Sequence, residues 1–528
     1  MVYIFLSLLS ILLLVIIHKT TRARAPLPPG PPPLPLIGNL HQLDTSSPHQ
    51  CLRQLSNIYG PLMSLRLGSV PTLVVSSAKM AKQVMKTHDL KFASRPPFKG
   101  LRKLSYNGLD IGFAPYSPYW REMKKLCVLH FFSLQRVHSF RPVREDEVAQ
   151  MIKKISQHET SHSDITRLEQ DCLSGRLPMI QSEAINLTET LMSFTNSLIC
   201  RMAFGKKYGY GYEGVDELGI GLKSSSRLQA LLNETQALTA EFYFSDHFPM
   251  MGWVIDGVRG ILKRLDKTFK ELDMIYEQVI HDHQDRAKSD DQDEADIIDI
   301  FLKLINDHSF PADLTLDNIK AVLMNIFIAG TDTSAAAITW AMNALLKNPK
   351  EMNKVQGEIR QLFGDKDFIN EDDIQRLPYL KAVVKETLRL FPPSPLLLPR
   401  ETMEKCNING YEIQPRTLVY VNAWAIARDP ENFEDPENFN PERFIGSSID
   451  FKGNDFELIP FGAGRRMCPA MHMGVVTVEL ALANLLHTFD WEVPIGIDKE
   501  GMLDTQVKPG ITMHKKEDLQ LVAKKRST

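Results

Sequence analysis

Pro460-Phe461-Gly462-Ala463-Gly464-Arg465-Arg466-Met467-Cys468-Pro469-Ala470 is the stretch whose reading decides the fold. Its spacing is that of a loop presenting one thiolate. Gly462 and Gly464 let the backbone turn tightly and approach a flat ligand. Pro469 suits the first position of a helix, which would set Cys468 at a helix N-terminus. The partial positive charge there favours thiolate over thiol. Arg466, two residues away, is placed to pair with an anionic cofactor edge. A lone Cys with no second Cys and only His472 close by does not suit zinc or an iron–sulfur cluster, which need about four protein ligands. It suits haem, where the porphyrin supplies four nitrogens and the protein one axial ligand. The competing reading is a buried core thiol, the usual lot of a lone Cys.

Phe461, Gly464, Arg466 and Cys468 match the haem-binding signature of the cytochromes P450, and the chain resembles that family. Ala470 departs from it, because the family usually has Gly two residues after the Cys; the extra methyl is expected near the porphyrin. Cys-Pro-Ala-Met-His-Met-Gly over 468–474 looks most like the 83 family of the plant 71 clan. The resemblance implies a mainly α fold with small β-sheets (α+β). It also implies one large haem domain over 36–528, and haem b (heme b, iron protoporphyrin IX) as cofactor.

Composition agrees with a large globular body: 43% of the 528 residues are apolar and 24% charged. A net charge of −3 without a long basic stripe argues against nucleic acid as a partner. Six scattered cysteines (51, 127, 172, 200, 406 and 468) with no CxxC pair fit a reducing compartment.

Working back to the start, Met1–Ile17 is nearly all apolar and is followed by His18, Lys19, Arg22 and Arg24. That length suffices for a membrane span. Positive charge after the span sets the body on the cytosolic side of the endoplasmic reticulum membrane, single-pass. The rival, a signal cleaved near Ala23-Arg24-Ala25, has its basic charge on the wrong side. The anchor is assigned to 1–18 and a basic, proline-rich hinge to 19–35. Seven prolines between Pro26 and Pro35 predict an extended, semi-rigid segment.

Leu62–Leu67 and Thr72–Val75 read as a hairpin divided at Pro71, followed by a helix over Ala78–His88. Phe92–Tyr119 lacks a clear period and reads as a long loop. Trp120 then opens a helix, with Lys124 on the same face. Gln157–Ser182 is polar and aperiodic and reads as an insert. Gly209–Gly214 is a GxGxxG without a preceding strand, so a dinucleotide site is not expected. The aromatic residues of 224–256 are expected to roof a pocket or touch the membrane, and Ser289–Asp296 to be a solvated acidic linker.

Asp313–Lys347 is a long helical pattern enclosing Ala329-Gly330-Thr331-Asp332-Thr333-Ser334. A glycine costs about 1 kcal/mol against Ala inside a helix. Beside an acid and hydroxyls it suggests a helix opened locally to bind something. Asp372–Leu390 reads as a second helix with Pro378 in its first turn, and Ser394–Arg400 and Leu418–Val421 as strands.

The resemblance assigns further roles. Ala329 and Gly330 lie against the cofactor, Thr333 hydrogen-bonds the bound dioxygen and Asp332 joins a proton relay. Trp120, Lys124 and Arg400 join Arg466 around the haem propionates. Glu386, Arg389 and Arg443 form a structural cluster, and Ile111, Phe113, Leu396, Leu397 and Ile511 face substrate. The implied activity is haem-thiolate monooxygenation of a small, largely apolar plant metabolite, aldoximes among them. The implied partner is NADPH–cytochrome P450 reductase. Two rival readings are a haem-thiolate isomerase or dehydratase that needs no dioxygen, and a non-catalytic haem protein.

Overall fold

The computed structural model of the chain describes residues 26–170, 184–205, 225–286, 296–307 and 314–526. The expected anchor, the part of the insert beyond Gln170 and the Gly209–Gly214 motif lie outside the described residues.

One helix is apolar all round and forms the axis of the body. Leu316–Lys347 would be long and apolar enough to cross a membrane, yet it is buried along most of its length. A helix hydrophobic on every face belongs in a core. It packs against two other long helices, Leu187–Phe204 and Met471–Thr488. The helices that build the site are therefore labelled α1 (Pro118–His130), α2 (Leu187–Phe204), α3 (Ser225–Ala240), α4 (Leu316–Lys347), α5 (Pro378–Leu390) and α6 (Met471–Thr488). Their buried faces merge into one apolar cluster, to which Phe131, Phe327, Ile338 and Leu482 contribute.

Nine short strands complete the described fold: β1 (Leu62–Leu67), β2 (Val70–Val75), β3 (Ile185–Asn186), β4 (Arg400–Glu401), β5 (Cys406–Ile408), β6 (Tyr411–Ile413), β7 (Leu418–Val421), β8 (Phe489–Glu492) and β9 (Gln520–Lys525). The first sheet has the order β1-β2-β7-β4, with β2 and β7 parallel and the other pairs antiparallel. β3, β9 and β8 form a second sheet, and β5 and β6 a hairpin.

Several boundaries differ from expectation. Pro71 lies inside β2 and faces Arg66 across the hairpin, while the turn falls at 68–69. The expected helix over Ala78–His88 changes to π geometry from Gln83. Residues 157–170 continue the helix Arg141–Gln170, for no Gly or Pro interrupts them. Lys99–Leu104 is a short helix inside the expected loop. The expected helix from Asp372 is two: Glu371–Ile374 and α5, which starts afresh at Pro378. Of the strand expected over 394–400 only Arg400 pairs; Leu397 has φ +53 and turns the chain. Asp296 is a buried cap of the helix Ile297–Asn306 and bonds His283 at 2.7 Å, so it is no part of a solvated linker.

The proline segment is not a free hinge from Pro26 onward. Proline keeps its carbonyl as an acceptor. Glu412 N–H donates to the Pro26 carbonyl, Ser64 N–H to Pro29 and Asn39 Nδ2 to Pro31. Gly30 lies so close to Ser64 that any side chain would strike its carbonyl.

Candidate functional site

A cavity of about 870 Å³ opens between α4, α6, α3, the loop before α1 and the glycine-rich stretch. Cys468 lines it, as do Ala329, Gly330, Asp332 and Thr333 from the middle of α4. Ile111, Phe113, Trp120, Lys124, Leu397, Arg400, Phe461, Arg466 and Ile511 also line it.

Two expected site residues face elsewhere. Leu396 packs on the cluster beneath the first sheet, with Leu52 and Met63. The turn at Leu397 sends consecutive side chains to different sides, so Leu397 and Leu398 reach the cavity instead. Gly464 is turned away from the cavity, and a side chain there would strike the Met85 carbonyl and Asp89. With φ +69, it lets the loop lie against the segment 83–92.

The Cys468 loop is held by its own backbone. Gly462 N–H donates to Ile459, Met467 N–H to Gly464, and Cys468 N–H to the Phe461 carbonyl. Asp89 holds the loop from outside, accepting from Arg465 N–H at 3.0 Å and its guanidinium at 2.8 Å. Pro469 precedes α6 rather than opening it; the helix begins at Met471 with Ala470 as its N-cap. Among the described residues the Ala470 N–H is the backbone group that bonds the sulfur. Burial pushes the Cys468 thiol up, against the Ala470 N–H and the Lys124 charge. Ala470 sits at φ −94, a conformation any residue adopts, so the fold has no need of glycine there.

Four cations converge on the Cys468 side of this cavity: Arg95, Lys124, Arg400 and Arg466. Arg95 is fixed by the carbonyls of Gly112, Leu398 and Pro399. Arg466 donates to the carbonyls of Ala93 and Ala114 and lies 3.8 Å over the Trp120 ring. Trp120 in turn donates its indole N–H to the Ile111 carbonyl, and Ser117 caps α1 beneath it. Lys124 bonds the carbonyls of Arg465 and Met467. Arg400 reaches the Ala463 carbonyl and lies 3.7 Å from Asp89.

Only Arg400 has a carboxylate within ion-pair distance among the described residues. Burial, then the Arg400 charge, pushes Arg466 down to about 9. Burial, then Arg466, pushes Lys124 down to about 8, and Arg95 is depressed by burial with Arg466 and Arg400. Arg466 Nη1 is buried without a partner. Buried cations so arranged require anionic partners. Two carboxylates on one edge of a flat, otherwise apolar ligand match that requirement, and haem carries them. The donor set therefore fits haem: one thiol, an apolar cavity and a cationic rim. The sequence reading missed Arg95, Asp89 and Leu398. The Arg95 signal was a lone arginine before two prolines in an apolar run.

On the α4 side, the helix runs without a break through Ala329–Ser334, contrary to the expected local opening. Thr333 Oγ1 donates to the Ala329 carbonyl at 2.7 Å. A side chain at Gly330 would meet Ile199 Cδ1 at 2.5 Å, so the glycine serves the approach of α2. Asp332 Oδ1 lies 2.5 Å from His514 Nε2. Asn325, two turns before Thr333, accepts from the Ile111 and Gly112 N–H groups and holds the loop over the cavity.

Away from the cavity, Glu386 is fully buried between Arg389, at 2.7 and 2.8 Å, and Arg443, at 3.1 Å. Arg389 also donates to the carbonyls of Ala427, Pro436 and Asn438. The three residues thus tie α5 to the loop that precedes the Cys468 stretch.

Known proteins resemble this chain over nearly its whole length. The family model described as Cytochrome P450 matches residues 28–521. The 5-OH-xanthotoxin synthase of Ammi majus is 48% identical over 94% of this chain and 92% of its own. The 6,7,8-trihydroxycoumarin synthase of Pastinaca sativa is 45% identical over 99% of both. Cytochrome P450 71AP13 of Prunus mume is 44% identical over 98% of this chain and 94% of its own. Among solved structures, a zebra fish cytochrome P450 with abiraterone superposes with a TM-score of 0.71 at 26% identity. That match covers 91% of this chain and 99% of the other.

Proposed function

This chain belongs to the cytochrome P450 family, within the plant 71 clan, and from that premise we propose that it hydroxylates a small, flat, largely apolar plant metabolite. It is a haem-thiolate monooxygenase with haem b as cofactor, dioxygen as co-substrate and a redox partner as electron source. The observation that carries the reading is the meeting of Cys468, the Ala329–Thr333 turn and four cations on one apolar cavity.

When bound, the haem supplies the activation of dioxygen and the oxidising power. The residues do the rest. In this reading Cys468 would hold the haem iron, and its thiolate form would depend on that bond, since burial alone favours the thiol. Arg95, Lys124, Arg400 and Arg466 hold the two propionates, each already fixed by backbone carbonyls before the ligand arrives. Thr333 offers a hydroxyl to dioxygen, giving up its bond to Ala329, and Asp332 is the acid from which protons are drawn. Glu386, Arg389 and Arg443 clamp the loop behind the thiolate. Ile111, Phe113, Leu397, Leu398 and Ile511 exclude water and shape the substrate chamber.

The coumarin compounds in the names of two relatives set the first substrates to try here. Aldoximes, which the likeness of 468–474 to the 83 family suggests, form the second group. Electrons come, in this reading, from NADPH–cytochrome P450 reductase docked on a basic face. Arg121 and Lys125 are exposed and suit that face; Lys124 does not, because it is turned inward. In this reading an anchor at 1–18 would put the chain on the same endoplasmic reticulum membrane as the reductase.

The test is turnover by the full chain with reductase, NADPH and a panel of coumarins and aldoximes under isotopically labelled dioxygen. One labelled oxygen in a product that depends on reductase is the expected result. Turnover of an oxygenated substrate without NADPH or reductase would replace the proposal with isomerisation or dehydration.

A further inference from the structure

His514 is absorbed by none of the roles above. It sits on the narrow loop between β8 and β9, where Val507 and Lys515 form an antiparallel bridge and Lys508 N–H donates to the His514 carbonyl. The loop is fastened on both sides of the histidine. Met513 N–H donates to the Pro393 carbonyl, and the Trp340 indole of α4 donates to the Met513 carbonyl at 2.6 Å. His514 Nε2 therefore meets Asp332 Oδ1 on a fixed backbone, not on a swinging side chain. The Asp332 side chain is 7% exposed, whereas that of His514 is 24% exposed. Its other ring nitrogen has no protein partner among the described residues, and His514 lines the cavity.

The surroundings of His514 are polar where the substrate side is apolar. Thr188 and Glu189 from α2, and Lys508, Thr512 and Asp518 from its own segment, line this branch of the cavity. Lys508 and Asp518 pair at 3.0 Å, and Asn186 Nδ2 holds the second Asp518 oxygen at 3.1 Å. The charged groups nearest the imidazole are thus Asp332 from α4, in direct contact, and Asp518, paired with Lys508, from its own segment, while Glu189 of α2 lines the same cavity. A buried carboxylate that gives up a proton must regain one, and Asp332 is nearly closed to water. An imidazole is suited to that task, because it takes a proton at one nitrogen and releases another from the second.

We propose that His514 is the positioning residue for Asp332 and the group that reprotonates it from the polar branch of the cavity. In the step, an N–H bond forms at Nδ1 with a proton from water, and the Nε2–H bond breaks as its proton passes to Asp332 Oδ1. The ring stays neutral overall after the transfer, as the other tautomer. Return of the Nδ1 proton to water and of a proton to Nε2 resets it, and no redox change is involved. The inference rests on the reading of Asp332 as the acid of the relay.

The test uses the full chain, haem-loaded and reconstituted with reductase, and follows substrate-free NADPH oxidation against pH. His514→Gln keeps a hydrogen-bond donor to Asp332 but cannot carry a proton. It should retain haem and the carbon monoxide band. Its oxidation rate should fall about tenfold, short of the ~10²-fold that a positioned proton donor contributes at the least, because water remains a slower donor. The pH profile of the rate should also change, and its solvent isotope effect should rise. A His514→Gln rate and pH profile like those of the parent, with Asp332→Asn impaired, would overturn the inference alone. An unimpaired Asp332→Asn would remove the relay reading and this inference with it. A readout free of turnover is the NMR spectrum of ¹⁵N-histidine-labelled, carbon monoxide-ligated protein. Asp332→Asn should move the His514 Nε2 resonance by removing the carboxylate that faces it, and an unmoved His514 signal would overturn the pairing.

Discussion

At the scale of single residues, the proposed function rests on Cys468 as the haem ligand and on the cations around it as partners of the propionates. Cys468→Ser should abolish the carbon monoxide band at about 450 nm and all reductase-driven oxidation, while far-ultraviolet circular dichroism shows the helices intact. Retention of the band would remove Cys468 as the axial ligand. Lys124 gives a prediction for protein stripped of haem. Burial, then the Arg466 charge, pushes it in the folded protein down to about 8 from its ordinary 10.5. Between those values the unfolded chain binds more protons, so stability rises with pH. Below about pH 8 both states are charged and the penalty is fully present. Denaturant melts of the haem-free protein should therefore show stability climbing above pH 8, and Lys124→Met should flatten the part between about pH 8 and 9, below the range in which Arg466 contributes. A slope that survives there in Lys124→Met would assign it to another group.

At the scale of elements, α5 and the loop before Cys468 depend on one buried carboxylate. Glu386→Ala would leave Arg389 and Arg443 facing each other without a counter-charge, at a cost of about 3–5 kcal/mol. The loop should then fail to hold haem. The check is the ratio of haem to protein in purified material together with the midpoint of urea unfolding. Glu386→Gln, which keeps the acceptor oxygen, should lose less; equal losses would argue that charge matters and hydrogen bonding does not. α4 shows why a residue pattern can mislead about an element. Gly330 beside Asp332 and Thr333 suggested an opened helix, yet the helix is continuous and the missing side chain makes room for Ile199.

At the scale of the whole molecule, apolar side chains gather on one side. Met250, Met251, Trp253 and Val258 are exposed, as are Leu34 and Leu36. The segments are neighbours, since Ser69 N–H bonds the His247 carbonyl and Gly68 N–H bonds Ile37. An exposed apolar patch of this kind marks an interaction surface. The chain without residues 1–25 should therefore still sediment with phospholipid vesicles. Trp253→Glu with Met251→Glu should release it without altering the carbon monoxide spectrum. Release of the parent truncation itself would refute a membrane role for this face.

How much was legible depends on how locally each feature is determined. Cys468, Arg466, the Ala329–Ser334 turn and the Glu386–Arg389 pair were readable because each is fixed by spacing along a few residues of one turn or helix. The resemblance to the family rests on those motifs, and monooxygenation came with the resemblance rather than from the spacings themselves. Tertiary structure decided what spacing does not encode. It turned Leu396 toward the sheet and Leu398 toward the cavity, because one residue at positive φ reverses the facing of its neighbours. It turned Gly464 outward against Met85, and it fastened the proline segment to the body. It brought Arg95, Asp89 and His514 to the site from positions up to hundreds of residues away. Such meetings are set by the packing of whole helices around α4, and the chain shows them only when folded.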